Sequence, residues 1–111
     1  MDCIFCKIID KKIPASLEYE DSELIAFRDI NPQAPVHVLF IPRKHMANMQ
    51  AVQEKDAPVI GRLFYQARRL AEERGWKDYR LVINNGPEAG QSVDHVHLHL
   101  LSGRRMTWPP G

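Results

Sequence analysis

The chain has 111 residues, with 15 Lys and Arg against 14 Asp and Glu, and its formal charge of +1 excludes a strongly basic surface for wrapping nucleic acid. This length suits one domain with a single core, and no apolar run approaches the roughly 20 residues that a membrane-spanning helix needs. The first residues lack the basic and apolar regions of a signal peptide, so we expect a soluble cytoplasmic protein with no nucleic-acid or membrane partner.

The first half of the chain predicts a short helix followed by three strands. Residues 3–9 place apolar side chains at helical spacing, and we expect this helix to end before Pro14 and to cover the core. A polar turn between the next two strands predicts an antiparallel hairpin. The third strand ends at Pro42 and is apolar on both faces, which indicates a central place in a sheet. These strands are expected at 16–19, 24–28 and 36–41.

The second half predicts one long amphipathic helix, from Asp56 to Arg74, and then two more strands. Asp56 suits the N-cap of the helix, and Gly75 suits its C-terminal stop. The two strands, at 80–84 and 95–101, flank a connection rich in glycine and in amide side chains. The apolar positions at helical spacing are Ile60, Leu63, Phe64, Ala67, Leu70 and Ala71.

Three of the five histidines, His95, His97 and His99, stand at alternate positions in the last predicted strand. Because side chains alternate across a strand, we expect the three imidazoles on one face, about 6.6 Å apart, and the apolar residues between them on the other. Three interpretations are open. The strand is an ordinary surface strand, it holds a metal through a His-x-His pair, or a neutral imidazole attacks phosphorus.

The segment Gly90-Gln91-Ser92 lies just before these histidines. Glycine permits close approach of the backbone, while Gln91 and Ser92 offer neutral hydrogen bonds that suit phosphate oxygens or a leaving group. By itself the segment is an ordinary turn. Beside three histidines on one face it predicts an anion cradle and favours the phosphoryl interpretation.

The run from His95 to Leu101 resembles the His-φ-His-φ-His-φ-φ signature of the histidine-triad nucleotide hydrolases and transferases, where φ is an apolar residue. The Trp-Pro-Pro-Gly ending is similar to the Hint branch rather than to the dinucleoside-polyphosphate hydrolases. Asp94 departs from the pattern, since the better-known animal Hint proteins carry an aromatic residue there. The segments that resemble the Hint branch are 3–9, 26–30, 33–37, 41–45, 90–93 and 108–111.

The resemblance implies an α+β fold of the HIT-like type over residues 1–111, as a single domain. It has a five-stranded, mainly antiparallel sheet, one long helix and a short N-terminal helix. Two copies are expected to dimerise into a ten-stranded sheet, because one long helix cannot cover the sheet alone. The extended tail at 103–111 would lie near the dimer contact and the active sites, with Trp108 in that contact.

The resemblance also implies a reaction. His97 would attack the α-phosphorus of a purine nucleoside 5′-phosphoramidate and form a covalent nucleotidyl-histidine that water hydrolyses. His99 would contact the phosphoryl oxygens and Ser92 the bridging atom, and no cofactor is needed for these steps. Asp29 would accept from the ribose hydroxyls of the AMP or GMP moiety. The remaining nucleotide-binding positions are Asn84, Gly90 and Gln91 near the phosphate, and Phe5, Phe27, Ile30 and Leu39 around the purine.

Alternatives to these assignments stay open. Asp29 is also suited to capping the following turn, and Phe5, Phe27 and Leu39 are residues that more often belong to a plain core than to a base pocket. His37 either orients the nucleophile or is a hydrogen-bonded core histidine. At the level of function, the alternatives are a dinucleoside polyphosphate hydrolase and a non-catalytic nucleotide-binding interaction protein.

Cys3 and Cys6 are separated by two residues, and a disulfide between them would close a very tight loop. In a reducing compartment this spacing favours free thiols or a metal. The pair offers half of a structural zinc site, as some bacterial relatives of the resembled family have, and His45 and His95 would complete it. Such a zinc would tie the N-terminal helix to the start of the triad.

Overall fold

The structure is a computed structural model that describes residues 2–111. Its two helices are α1 (Ile4–Ile9) and α2 (Ala57–Arg74). Its strands are β1 (Leu17–Glu20), β2 (Leu24–Arg28), β3 (Val36–Pro42), β4 (Tyr79–Val82) and β5 (Leu98–Ser102). Short 3-10 turns lie at Met49–Ala51, Glu54–Asp56 and Pro87–Ala89. The expected α+β class, with one long and one short helix, is confirmed.

The five strands form one sheet in the order β1-β2-β3-β5-β4, and every neighbouring pair is antiparallel. The central place expected for β3 is confirmed. Its register sets Phe27 opposite Leu39, and Leu39 opposite His99. Side chains of directly opposed residues point to the same face, so this cross-strand row places two residues of the expected purine slot beside a triad histidine.

The two faces of the sheet are covered by different helices. On one face, α2 packs its buried residues Leu63, Ala67 and Leu70 against alternate residues of β2, β3 and β5. On the other face, α1 packs Phe5 and Ile8 against the residues of β2 and β3 that alternate with those under α2. The expectation that the N-terminal helix covers the core is confirmed, and it covers the face that carries the histidines.

The last strand differs from its expected bounds. It begins at Leu98, so His95 and His97 precede it rather than belonging to it. The amide of Val96 donates to the carbonyl of Met46 (2.8 Å), outside the sheet. Pro42 explains this ending, because it has no N–H to donate at the next rung of the ladder between β3 and β5. The expected β4 also shifts, from 80–84 to Tyr79–Val82.

One apolar side chain lies elsewhere than expected. Phe64 was expected on the buried face of α2 but is 41% exposed, and Gln66 is buried there instead. Trp108 is 81% exposed, so it does not pack within its own chain. Among the described residues, no helix is both long enough and apolar enough to span a membrane.

Gly103 offers a test of the packing at the end of β5. Its φ of +96° lies in the left-handed region, and a Cβ there would come within 2.9 Å of the Pro35 ring, which cannot yield. We expect Gly103→Ala to lower the free energy of unfolding by about 1–3 kcal/mol. At Gly61, inside α2, no atom beyond the helix's own backbone lies within 4 Å of the position that a Cβ would take. The matched Gly61→Ala is therefore expected to raise stability by about 1 kcal/mol.

Urea unfolding followed by circular dichroism measures both variants. Equal midpoints for the two alanine variants would contradict the close contact between Gly103 and Pro35.

Candidate active site and metal centre

A cleft of about 370 Å³ opens on the sheet face that α1 partly covers. It is lined by residues from the loop after β2, from β3, from the ends of β4 and β5, and from the loop before the triad. His97 lies beside the cleft, with its ring centroid 4.8 Å from that of His99. The lining residues are Asp29, Asn31, Gln33, His37, Val82, Asn84, Gly90, Ser92, His99 and Leu101.

His97 is only 3% exposed, and its Nδ1 lies 2.6 Å from the backbone carbonyl oxygen of His95. A carbonyl oxygen only accepts, so Nδ1 carries the proton and Nε2 keeps its lone pair. Phe5 packs edge-on against the ring, with 5.1 Å between centroids. Burial lowers the pKa of His97, which favours the neutral ring. The surroundings therefore present a neutral imidazole whose free nitrogen is Nε2.

His99 lines the cleft beside His37. Its Nδ1 lies 2.9 Å from Nε2 of His37, and its own Nε2 is buried with no hydrogen-bond partner within the described chain. A buried polar atom without a partner costs free energy unless a ligand or water satisfies it. Burial lowers the pKa of His99 to about 4, so this ring is neutral too.

The three histidines are not equivalent, although their rings lie on one side of the chain as expected: those of His95 and His97 contact Phe5 of α1, and those of His97 and His99 contact each other. The ring of His95 is fully buried away from the cleft, and its Nε2 donates to the carbonyl oxygen of Pro42 at 2.8 Å. The apolar partners Val96, Leu98 and Leu100 do lie together in the core under α2, as expected.

The loop before the triad has a more specific form than the sequence suggested. Gly90 adopts a φ of +95° beside the side chain of Asn84, in a conformation that favours glycine. The Gln91 amide accepts from the Gly86 N–H (2.8 Å) and donates to the carbonyls of Ala47 (2.7 Å) and Val93 (3.1 Å). These bonds commit the Gln91 side chain to holding the loop, while Ser92 is exposed and lines the cleft.

Asp29 combines the two roles that the sequence left open. One carboxylate oxygen accepts from the Asn31 amide at 2.8 Å and caps the turn. The other oxygen lies 3.5 Å from Nε2 of His37 and lines the cleft. The capping bond thereby orients the carboxylate so that one oxygen remains available to a ligand.

An apolar cavity of about 130 Å³ lies next to the cleft, between α1 and the sheet. It brings together the four residues expected around a purine, with Phe5 and Phe27 in edge contact and Ile30 almost fully exposed at the rim. The sequence reasoning missed other lining residues. Ile4 and Ile8 belong to the helical spacing of residues 3–9, which did not assign them to a base. The others are Ile13, Pro14 and Ala15 after α1 and Arg28 at the end of β2.

A second polar cluster lies behind the triad, where Cys3, Cys6, His45 and His95 bring four donor atoms within 4.8 Å of one another. Nδ1 of His95 lies 3.2 Å from Nδ1 of His45 and 3.5 Å from Sγ of Cys3. Sγ of Cys6 lies 3.4 Å from Nδ1 of His45 and 3.7 Å from Nδ1 of His95. The structure thus assembles the four expected ligands.

These separations fit a tetrahedral zinc ion. Zn–N bonds of about 2.05 Å and Zn–S bonds of about 2.3 Å give tetrahedral edges of about 3.4 Å between nitrogens and about 3.6 Å between nitrogen and sulfur. The bond from the His95 ring to the Pro42 carbonyl places the proton on Nε2, so that Nδ1 faces the cluster with its lone pair. Donor set, spacing and protonation all suit a structural Cys2His2 site.

His95 connects the two sites. Its ring faces the four-donor cluster, while its backbone carbonyl accepts from the ring of His97. Phe5, two residues after the first cysteine and next to the second, packs against both imidazoles. The cluster and the cleft therefore share one short segment of backbone and one aromatic side chain.

Comparison with known proteins identifies relatives that are similar to this chain over nearly all of its length. The family model described as "Scavenger mRNA decapping enzyme C-term binding" matches residues 2–108. A 14 kDa zinc-binding protein of Brassica juncea is 48% identical over 99% of this chain and 100% of its own length. The adenylylsulfatase HINT1 of Arabidopsis thaliana is 47% identical over 97% of this chain and 76% of its own length. The crystal structure of a HIT family hydrolase from Legionella pneumophila Philadelphia 1 superposes with a TM-score of 0.95 at 48% identity, covering 99% of this chain and 100% of that one.

Proposed function

The chain belongs to the histidine triad (HIT) family, and from this premise we propose that it cleaves the P–N bond of purine nucleoside 5′-phosphoramidates such as AMP-NH2 or AMP-lysine. Membership of this family supports a nucleotide-binding hydrolase. The observation that carries the finer proposal is the buried, neutral ring of His97, whose Nδ1–H bond to a carbonyl leaves Nε2 free to attack.

In the first step, Nε2 of His97 forms a bond to the α-phosphorus while the P–N bond breaks. The bonding electrons pass to the leaving nitrogen, which takes up a proton from water and departs as an amine. The ring then carries a positive charge, which the carbonyl of His95 stabilises through Nδ1–H at 2.6 Å. In the second step, water attacks phosphorus and gives up a proton to the solvent, the P–Nε2 bond breaks, and His97 regains its lone pair on Nε2.

Two groups are placed to assist this transfer. His99 has a buried ring nitrogen with no hydrogen-bond partner among residues 2–111, and this atom suits a hydrogen bond to a non-bridging phosphoryl oxygen. Ser92 lines both the cleft and a second cavity of about 370 Å³ bounded by Cys3, His45 and Asp94, and its hydroxyl there suits donation to the departing nitrogen. We propose these roles for His99 and Ser92, with Gly90 and Asn84 shaping the cleft around the phosphate.

The nucleoside would extend from the cleft into the apolar cavity. Asp29 lies at the junction, because it lines both spaces, and its outward oxygen suits the ribose hydroxyls. Phe5, Phe27 and Leu39 would enclose the purine, with Ile30 over its exposed edge. The base contacts are apolar, so AMP and GMP moieties are both within this proposal.

The leaving group distinguishes the main proposal from its nearest alternative. The name adenylylsulfatase, which the Arabidopsis thaliana relative carries, supports an adenylyl group bound in the same way but with a leaving group other than an amine. The chemistry at His97 would be the same in both cases. Rates with a phosphoramidate, adenylyl sulfate and a dinucleoside polyphosphate therefore need to be compared on one preparation.

We also propose that the four-donor cluster holds a structural zinc ion. The tetrahedral spacing of its donors supports this, as do the relatives named as 14 kDa zinc-binding proteins. Cys3 and Cys6, at the start of α1 and within it, would be joined to His45 after β3 and to His95 before β5. The ion would stabilise this junction, and His97 and His99 are left free for the reaction.

A homodimer is the proposed assembly. Strand β4 lies at an edge of the sheet, where its outer backbone groups lack a neighbouring strand among the described residues. The exposed Trp108, in the tail, and the exposed Phe64, on α2, supply apolar surface for such a contact.

His97→Ala tests the nucleophile. We expect hydrolysis of adenosine 5′-phosphoramidate to fall by at least about a thousandfold, because no other group is placed to form the covalent intermediate. Isothermal titration should still detect AMP binding, since the ribose and purine contacts remain. Undiminished turnover by this variant would falsify the nucleophile assignment, and turnover by neither protein would point to a nucleotide-binding interaction protein.

Ser92→Ala tests the leaving-group contact. A hydrogen bond to the departing atom matters most when that atom is a poor leaving group, so the variant should lose about tenfold to a hundredfold in kcat with an alkylamine. The loss in kcat should be smaller with a nitrophenyl ester of AMP, because nitrophenolate is a leaving group that departs without such assistance. A constant loss across a series of leaving groups would place Ser92 on a non-bridging oxygen instead.

Metal analysis tests the zinc proposal. Purified wild-type protein is expected to contain about one zinc per chain, and Cys3→Ser and Cys6→Ser to contain little, because a hydroxyl is a poor zinc ligand. Ser92→Ala is a matched control, since Ser92 lines the same second cavity as Cys3 and His45 but is not one of the four donor residues. Equal, negligible zinc in the wild type and all three variants would end the proposal.

A further inference from the structure

We propose that His37 is a positioning residue that fixes the proton of His99 on Nε2, so that His99 always meets the substrate as a hydrogen-bond donor. The identity of the group that His99 meets rests on the proposed function. The position of the proton does not, because it is a property of the protein without substrate.

The positions of the ring protons follow from a hydrogen bond donated by a backbone amide. The N–H of Gln33 points to Nδ1 of His37 at 3.0 Å. An amide N–H only donates, so this ring nitrogen accepts and carries no proton. Burial lowers the pKa of His37, which keeps the ring neutral with a single proton. That proton is therefore on Nε2.

The Nε2 atom of His37 faces two acceptors. It lies 2.9 Å from Nδ1 of His99 and 3.5 Å from a carboxylate oxygen of Asp29. With the proton on His37, Nδ1 of His99 can only accept. The single proton of the neutral His99 ring is then on its other nitrogen, Nε2, which is the buried atom without a partner described above. Each of these contacts permits only one position for the ring proton.

The fold holds His37 in place for this role. His37 is 4% exposed and lies on the same face of β3 as Leu39, which is paired with His99. Its own backbone carbonyl accepts from the amide of Asp29 at 3.0 Å. The loop between β2 and β3 thus contacts His37 through both its backbone and its ring, so its ring has little freedom to turn.

The same distances distinguish this arrangement from a metal site. Asp29, His37 and His99 also place donor atoms close together. The 2.9 Å between the two ring nitrogens is shorter than the edge of about 3.4 Å expected for two nitrogens on a tetrahedral zinc ion, and it is an ordinary hydrogen-bond length. The Gln33 amide also occupies the remaining nitrogen of His37.

Nitrogen NMR of the histidine rings in the wild-type protein tests the inference directly. We expect His99 and His37 to be protonated on Nε2, and His97, in the same spectrum, to be protonated on Nδ1. His97 serves as an internal control of opposite sign. A scalar coupling across the hydrogen bond should connect Nε2 of His37 with Nδ1 of His99. A proton on Nδ1 of His99 in the free protein would overturn the inference.

A pair of variants tests the consequence for the reaction. His37→Leu removes the ring donor, so Nδ1 of His99 gains a share of the proton, and we expect kcat to fall by about tenfold to a hundredfold with little change in KM. His37→Gln keeps an N–H donor and should recover a substantial part of that loss. Equal losses in both variants, in parallel with equal losses of thermal stability, would show a merely structural role and contradict the inference.

The outcome separates the two proposals. If phosphoramidates are not cleaved but the ring protons are placed as stated, the proposed function fails and the inference stands. If phosphoramidates are cleaved while His99 carries its proton on Nδ1, the inference fails and the proposed function stands.

Discussion

The ending of the ladder between β3 and β5 at Pro42 is the constraint on which both sites depend. A residue with an N–H at this position would pair with Val96 and extend β5 toward His95. Proline cannot donate, and its carbonyl accepts from the His95 ring instead, at 2.8 Å. The chain before Leu98 is thereby released from strand geometry. This release lets His95 turn toward the cysteines while its carbonyl turns toward His97.

Protons on the buried imidazoles follow from backbone groups rather than from charged side chains. Carbonyl oxygens accept from His95 and His97, and an amide N–H donates to His37. Backbone groups have fixed hydrogen-bonding character, so each contact permits only one placement of the proton. The result is that neighbouring histidines differ in which nitrogen is free, although their side chains are chemically identical.

Alternation of apolar residues predicted the strands and the core under α2 because these depend on local spacing, as Val96, Leu98 and Leu100 show. The four metal-type donors were also found from residue identity. The start of β5 could not be predicted, because it depends on Pro42, more than fifty residues earlier in the chain. For the same reason, nothing in the sequence indicated that Gln91 would hold its loop or that His37 would contact His99.

Neutral groups have an advantage over cations in a site that must release a nucleotide. Among the described residues, the lining of the cleft contains no lysine or arginine. A fixed cation would attract the charged product about as strongly as the substrate, and such uniform binding does not raise kcat. Buried hydrogen-bond donors of fixed orientation stabilise the transition state, in which negative charge increases on the phosphoryl oxygens. They do so effectively because they need no reorientation as this charge develops. Burial, which lowers the pKa values of His97 and His99, is therefore compatible with the roles proposed for them, His97 as a neutral nucleophile and His99 as a neutral donor.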